Sequence, residues 1–433
     1  MEAASIHLRT RTYLALLLAA AGVGVVLALA TLAFLGAYSG LHRLVWEALP
    51  DALGVDAHPW FALAVTTLGG LAVGLLLLVV PGGGGPGPAE GHGLGIEPAP
   101  PSHAAGMVVV SLVSLTAGAS LGPEAALLTI SIAVGTMLAA RARRPELGRV
   151  FAMSGVGSLL SGLLGSPLAP AVMTLEVAKI TGRNLYAFLA PVLVASAIGL
   201  LTFDAILNGP LLEIDFPAYA DVELAHVLEA LAVAAAGALL GLVTIAAFRF
   251  VRRLFQRVES RVVKATLGGF AIGLVALVAG EETLFSGEHE LEVLLADPAA
   301  YGFGALLLIL GGKIVAFAIS LECGFRGGRI FPVLFIGATV GFAATSAFDS
   351  IPLAVAVASG MAGAAVALIR LPIFVVLLVA FFASPATIPL IVLAAVVGYV
   401  LTFDRPELGR EPEEEQQVAT QDDLGGPRPA SDG

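Results

Sequence analysis

One carboxylate stands in a stretch that has no other use for charge. The run Ala119-Ser120-Leu121-Gly122-Pro123-Glu124-Ala125-Ala126-Leu127 places Glu124 among membrane-type apolar residues, directly after a Gly-Pro step. Gly122 permits a sharp turn, and Pro123 is favourable at the first position of a helix. An apolar run then extends from Ala125 to about Ala140. Glu124 is therefore expected in a first helical turn, where free backbone N–H groups and the positive end of the helix dipole collect. That is an anion site, and Glu124 is itself an anion placed in it. The bland reading is a helix cap. Acids within a membrane are costly and mark function by default, so the functional reading stands first. Burial favours the neutral acid and the helix N-terminus favours the charged one; the residues alone leave the balance open.

Other chemistry is poorly supported. The seven histidines show no His-Glu-x-x-His spacing. His289 lies between Glu288 and Glu290, in an acidic loop expected to be a solvated face. No Gly-x-Ser-x-Gly elbow occurs, and the glycines at 82–87 lack the Lys-Ser/Thr ending of a phosphate loop. The expectation is not an enzyme, with no metal, no cofactor and no nucleic-acid partner.

The elements that must hold Glu124 are membrane helices. Of 433 residues, 58% are hydrophobic and 13% charged, a composition that excludes a soluble globular protein of this size and points to a polytopic membrane protein. The net charge of −11 is concentrated at the end of the chain. From Asp404 onward nine acids face three bases, or −6, leaving −5 for the membrane part. The single cysteine, Cys323, excludes an internal disulfide. Residues 13–38 are too long for a signal-peptide core and form a first span; 46–58 is a polar loop and 61–80 a second span. A Gly/Pro-rich segment, 81–101, is either a surface linker or irregular backbone lining a cavity. Apolar stretches follow at 104–116, 125–140, 151–177 (broken at Gly165-Ser166-Pro167), 186–203, 227–248, 266–280, 303–320, 330–346, 352–371 and 373–403. The basic loop 249–264 is the strongest cytoplasmic signal. Residues 404–433 are expected to be a disordered acidic cytoplasmic tail.

The two halves repeat. Gly122 precedes Gly135 by 13, as Gly328 precedes Gly341; Gly155 precedes Pro167 by 12, as Gly360 precedes Pro372. The offsets are 206 and 205. Interrupted helices at corresponding places in two halves point to a substrate site between repeats. The expected division is a membrane domain over 1–403, with repeat one at about 60–203 and repeat two at about 225–403.

At this point the residues resemble the CLC family of chloride channels and anion/proton antiporters. Gly122-Pro123-Glu124-Ala125-Ala126 is similar to its Gly-Lys/Arg-Glu-Gly-Pro motif. Gly312-Lys313, then Gly327-Gly328-Arg329-Ile330-Phe331-Pro332, are similar to its Gly-Lys and Gly-Gly-x-Phe-x-Pro elements. Ser166-Pro167-Leu168-Ala169, ending in Leu175-Glu176-Val177, is similar to its Ala-Pro-Leu-Ala…Glu segment, and Gly85-Pro86-Gly87-Pro88 stands where Gly-Ser-Gly-Ile-Pro would. The order holds over roughly residues 60–400.

The resemblance implies an all-α fold of two inverted-topology repeats with broken helices, and a homodimer with one anion path per subunit. It implies Glu124 as the gate. Anion-binding positions would be Gly85, Pro86, Gly87, Gly122, Pro123, Ala125, Gly328, Arg329, Ile330 and Phe331. Glu176 and Val177 fall at the proton-path position, where antiporters carry an acid just after Glu176; Val177 is the channel-like residue. Chloride is the expected ion. Pro86 in place of Ser raises nitrate as an alternative, since the family pattern links proline there with nitrate preference. Arg329 adds a charge and shifts the aromatic by one place, and no tyrosine follows Phe403, with Tyr399 inside the last helix. No regulatory nucleotide-binding domain pair is expected. The expectation is a passive anion channel in the plasma membrane, the alternative an anion/proton antiporter with a different proton route.

Overall fold

The computed structural model describes residues 10–55, 60–81, 101–144, 147–178, 184–208, 214–220 and 222–405. Gly85, Pro86 and Gly87, and the tail from 406 onward, lie outside the described residues. Among those described there are helices and no strand ladders.

The first half runs α1 (Thr10–Arg43), α2 (Leu49–Leu53), α3 (Trp60–Val79), α4 (Pro101–Thr116), α5 (Glu124–Arg141), α6 (Gly148–Leu164), α7 (Leu168–Ala178) and α8 (Asn184–Leu207). The second runs α9 (Leu224–Phe255), α10 (Arg261–Ala279), α11 (Glu288–Ala296), α12 (Phe303–Glu322), α13 (Ile330–Ala347), α14 (Leu353–Ile369), α15 (Pro372–Phe382) and α16 (Ile388–Thr402). Nine helical stretches among the described residues are long and apolar enough to cross a membrane. The chain is an all-α, multi-pass membrane protein built from two inverted-topology repeats.

Packing shows the repeat more directly than the glycine spacing does. α5 packs on α6 as α13 packs on α14, and α1 meets α6 and α8 as α9 meets α14 and α16. Across the repeats, α3 packs on α10 and α7 on α15. The α3–α10 crossing is close because it is glycine-lined. A Cβ on Gly70 would stand 2.3 Å from the Ala265 carbonyl oxygen, and one on Gly269 2.1 Å from that of Thr66. Without a hydrophobic effect between helices in lipid, such small-residue contacts carry the association.

The broken helices also correspond. α6 ends at Gly165 (φ +68) ahead of Ser166-Pro167, and α14 ends at Arg370 (φ +64) ahead of Leu371-Pro372. Each half thus stops a helix with a left-handed residue and starts the next at a proline, just after Pro167 in α7 and with Pro372 in α15. In the second half the stop falls on an arginine, at roughly 1–2 kcal/mol of backbone cost.

Three sequence expectations need correction. The loop placed at 46–58 is helical through Leu53: α1 passes through a π-helical turn at Leu44–Ala48 into α2, ended by Gly54 at φ +65. The single span placed at 373–403 is two helices, because Pro385 and the extended backbone at Ala383 and Ser384 end α15 and restart the chain as α16. The acidic segment around His289 is a helix rather than a loop, although His289 itself is exposed as expected. The segment contains α11, with Leu291 and Leu294 buried and Gly287 backed against Phe335 of α13.

Candidate functional site

The N-termini of α5 and α13 meet inside the apolar core. Gly122 and Gly328, the residues related by the 206 offset, pair as an isolated antiparallel bridge. The Gly122 N–H donates to the Gly328 carbonyl at 2.9 Å, and the Gly328 N–H returns to the Gly122 carbonyl at 2.5 Å. The two repeats are thus joined backbone to backbone at their equivalent turns.

Glu124 sits on this bridge, 1% exposed. Its Oε1 accepts from the Phe331 N–H at 3.1 Å, in the first turn of α13. Its Oε2 is buried and has no hydrogen-bond partner among the described residues. The acid opening the helix of one repeat therefore caps the helix of the other, as the free N–H groups of a helix start allow.

The same geometry revises the role of Gly122. It does not adopt a left-handed turn. A Cβ on Gly122 would lie 2.2 Å from Glu124 Oε2, and a Cβ on Gly328 only 1.8 Å from it. The carboxylate occupies the space that both missing side chains leave. Pro123 caps α5 from just outside rather than at its first residue. Ala125 is half-buried in the first turn of α5, Arg329 is half-buried at the cap of α13, and Ile330 and Phe331 are buried in the turn that receives Glu124.

Glu176 repeats the theme away from Glu124. Its two oxygens accept from the N–H groups of Ile373, at 3.1 Å, and Phe374, at 2.7 Å, in the first turn of α15. Val177 beside it is half-buried. Tyr399 is exposed on α16, its ring beside that of Phe403.

Several polar residues around the bridge were not singled out from sequence. The turn before Glu124 is held by the Ser120 N–H donating to Ser320 Oγ at 3.0 Å, and the loop before α13 by the Arg326 N–H donating to Ser114 Oγ at 3.0 Å. Arg326 is itself buried, 8% exposed, two residues before Gly328. The signal was present: a cation between Phe325 and Gly327 in an apolar chain. Lys313, which with Gly312 carries the resemblance to the family's Gly-Lys element, is fully buried. Its Nζ donates to the carbonyls of Leu284 at 2.6 Å and Phe285 at 3.1 Å, and lies 4.7 Å from the centre of the Phe335 ring. It holds the loop ahead of α11 rather than the carboxylate. Among the described residues no three His, Cys, Asp or Glu side chains gather to hold a metal ion.

Opposed helix starts from two inverted repeats, meeting around a buried acid with backbone donors, are the architecture of a membrane transport protein built on broken helices. Residues 89–402 match the family model described as voltage gated chloride channel, and the chain belongs to that family, the CLC family of anion transport proteins. The relatives include the putative ion-transport protein YfeO of Escherichia fergusonii and of Escherichia coli. Each is 28% identical over 407 residues, covering 93% of this chain and 96% of the relative. Among solved structures, a slow cyanobacterial Cl⁻/H⁺ antiporter superposes with a TM-score of 0.77 at 20% identity, covering 94% of this chain and 99% of that one. A CLC-type fluoride/proton antiporter superposes with a TM-score of 0.70 at 17% identity, covering 92% and 97%.

Proposed function

We propose that this protein is a passive anion channel in which Glu124 is the gate. The observation that carries the reading is the Phe331 N–H bound to the Glu124 carboxylate. A charged carboxylate there occupies the donors a permeant anion would use. Protonation weakens that hold and frees the helix start. Gly122, Pro123, Ala125, Gly328, Arg329, Ile330 and Phe331 surround this position, and Gly85, Pro86 and Gly87 complete the path on the family pattern. Backbone donors suit conduction, which needs binding weak enough to release the ion, and Arg329 at the cap of α13 adds a positive charge to the same helix start. Chloride is the expected ion and nitrate the alternative.

The channel reading rests on Val177, which cannot carry a proton, and on Glu176, whose two oxygens are engaged by the start of α15. The second reading is anion/proton antiport by another route, favoured by the antiport named for two of the superposed proteins. We assign a homodimer, supported by large apolar side chains exposed along α9 and α16, among them Leu228, Leu239, Phe250, Val396 and Val400. We place the protein in the plasma membrane with the basic 249–264 loop and the tail in the cytoplasm. Purified protein in liposomes, with chloride, nitrate and fluoride flux and proton movement recorded together, tests the assignment. Anion flux without uphill proton movement supports the channel, and protons driven by an anion gradient support the antiporter.

A further inference from the structure

A second acid stands behind the first. Phe331, whose N–H holds Glu124, and Phe335 are four residues apart and share a face of α13. Phe335 packs against Gly287, so that a Cβ there would lie 2.7 Å from the Phe335 Cβ. Glu288, the first residue of α11, follows directly. The loop leading to it is tied to the turn before Glu124 by the Phe285 N–H, which donates to the Gly118 carbonyl at 3.4 Å. Lys313 fixes the same loop from the other side.

Glu288 is half-buried, but its Oε2 is fully covered and has no hydrogen-bond partner among the described residues. Glu124, 1% exposed, also carries a free, covered Oε2. The Glu124 carboxylate is among the charges that raise Glu288. On the outer side, His289 is 79% exposed and its Nδ1 lies 3.6 Å from Glu292, itself 39% exposed. The acids of α11 thus run from an exposed end at Glu292 to a covered carboxyl oxygen at Glu288.

We propose that Glu288 is the proton-transfer partner of Glu124: a proton taken up at the surface end of α11 resides on Glu288 and passes to the Glu124 carboxylate. Glu288 is left ionised and is reprotonated from the surface. This deepens the gate reading and rests on it.

Three groups of facts support a proton at this place. Burial, then the neighbouring carboxylates of Glu124, Glu290 and Glu292, push Glu288 up to about 8. Where two carboxyls interact, a proton belongs to the pair rather than to either one. Other titratable groups bear on the same helix. Lys313 acts on Glu290 and Glu282, and from α1 Tyr38 faces Glu288 and Glu290 while His42 responds to Glu47 and His289.

The test uses the full chain in liposomes and in detergent. Anion flux is measured against pH for the wild type, Glu288→Gln, Glu288→Asp, Glu124→Gln and the double variant Glu288→Gln/Glu124→Gln. Infrared titration follows the protonated-carboxyl band of the same proteins. Removing one of two like charges lets the other give up its proton sooner. Glu288→Gln should therefore move the midpoint of the flux–pH curve to lower pH by about one unit, with Glu288→Asp restoring part of the shift. In the Glu124→Gln background the same substitution should move nothing. An unmoved midpoint with an unmoved carboxyl titration overturns the proposal, as does an equal effect in the Glu124→Gln background. Flux indifferent to Glu124→Gln while the infrared coupling persists contradicts the gate and supports the proton-sharing pair.

Discussion

The Phe331 N–H donates to Glu124 Oε1 across the junction of the two repeats. The start of α13 is therefore satisfied by a side chain from the start of α5, over a separation of 207 residues. Any anion that uses the same donors must displace that carboxylate, and any change in the cradle beneath the carboxylate changes its hold.

The cradle gives the first prediction. A methyl group at position 328 would overlap Glu124 Oε2, so Gly328→Ala should lower stability by about 1–3 kcal/mol, the usual cost of overpacking, and loosen the acid. Combined with Glu124→Ala, the same substitution should cost much less, because the overlapping oxygen is gone. Thermal unfolding of the four proteins in detergent measures the coupling. Equal costs in both backgrounds would place the carboxylate elsewhere.

Glu176 gives the second. It satisfies two N–H groups at the start of α15, so Glu176→Ala should cost ~0.5–2 kcal/mol as a lost cap while leaving passive anion flux in place. Loss of proton movement with anion flux kept would instead make Glu176 a relay.

The third concerns pH and Glu288. Its carboxyl holds a proton to about 8 in the folded chain, against an ordinary value of 4.5. Between those values the folded state binds more protons than the unfolded one, so stability falls as pH rises through the window. Glu288→Gln, which cannot ionise, should unfold at a higher temperature than the wild type at pH 9. The difference should shrink towards pH 5. A constant difference across that range would mean that Glu288 is ionised throughout.

Much of this arrangement was legible in the chain. Glu124 announced itself as an acid after Gly-Pro in an apolar run. The 206-residue offset between Gly122 and Gly328 was found as a spacing and turned out to be a direct contact. What the sequence hid was three-dimensional. The acids at 288–292 look solvated in a one-dimensional reading, because nothing local says that Phe335, 48 residues later, covers Gly287. The break at Ala383–Pro385 is written in the chain as Ser384-Pro385 with Pro389 beyond, turn residues that the hydrophobicity on either side outweighs when the segment is read by composition. Gly122 was assigned the conformational role common for glycine, when its function is to leave room for a side chain two residues on.

The fourth prediction addresses the segment containing Pro86. Proline offers no hydroxyl, so selectivity there falls to backbone N–H groups and path width. Pro86→Ser should raise chloride flux relative to nitrate, within the ~1.5–3 kcal/mol that one hydrogen bond to a charged group contributes. An unchanged flux ratio would remove residues 85–87 from the path.

The gate itself is tested most directly by anion flux from liposomes holding wild-type, Glu124→Gln or Glu124→Ala protein, measured as external pH is lowered. Wild-type flux should rise as the pH falls. Glu124→Gln should behave at every pH like the protonated wild type, and Glu124→Ala should be faster and nearly independent of pH. If both variants fold and keep the wild-type flux and pH response, the Glu124–Phe331 bond is a helix cap alone and the gate assignment is wrong.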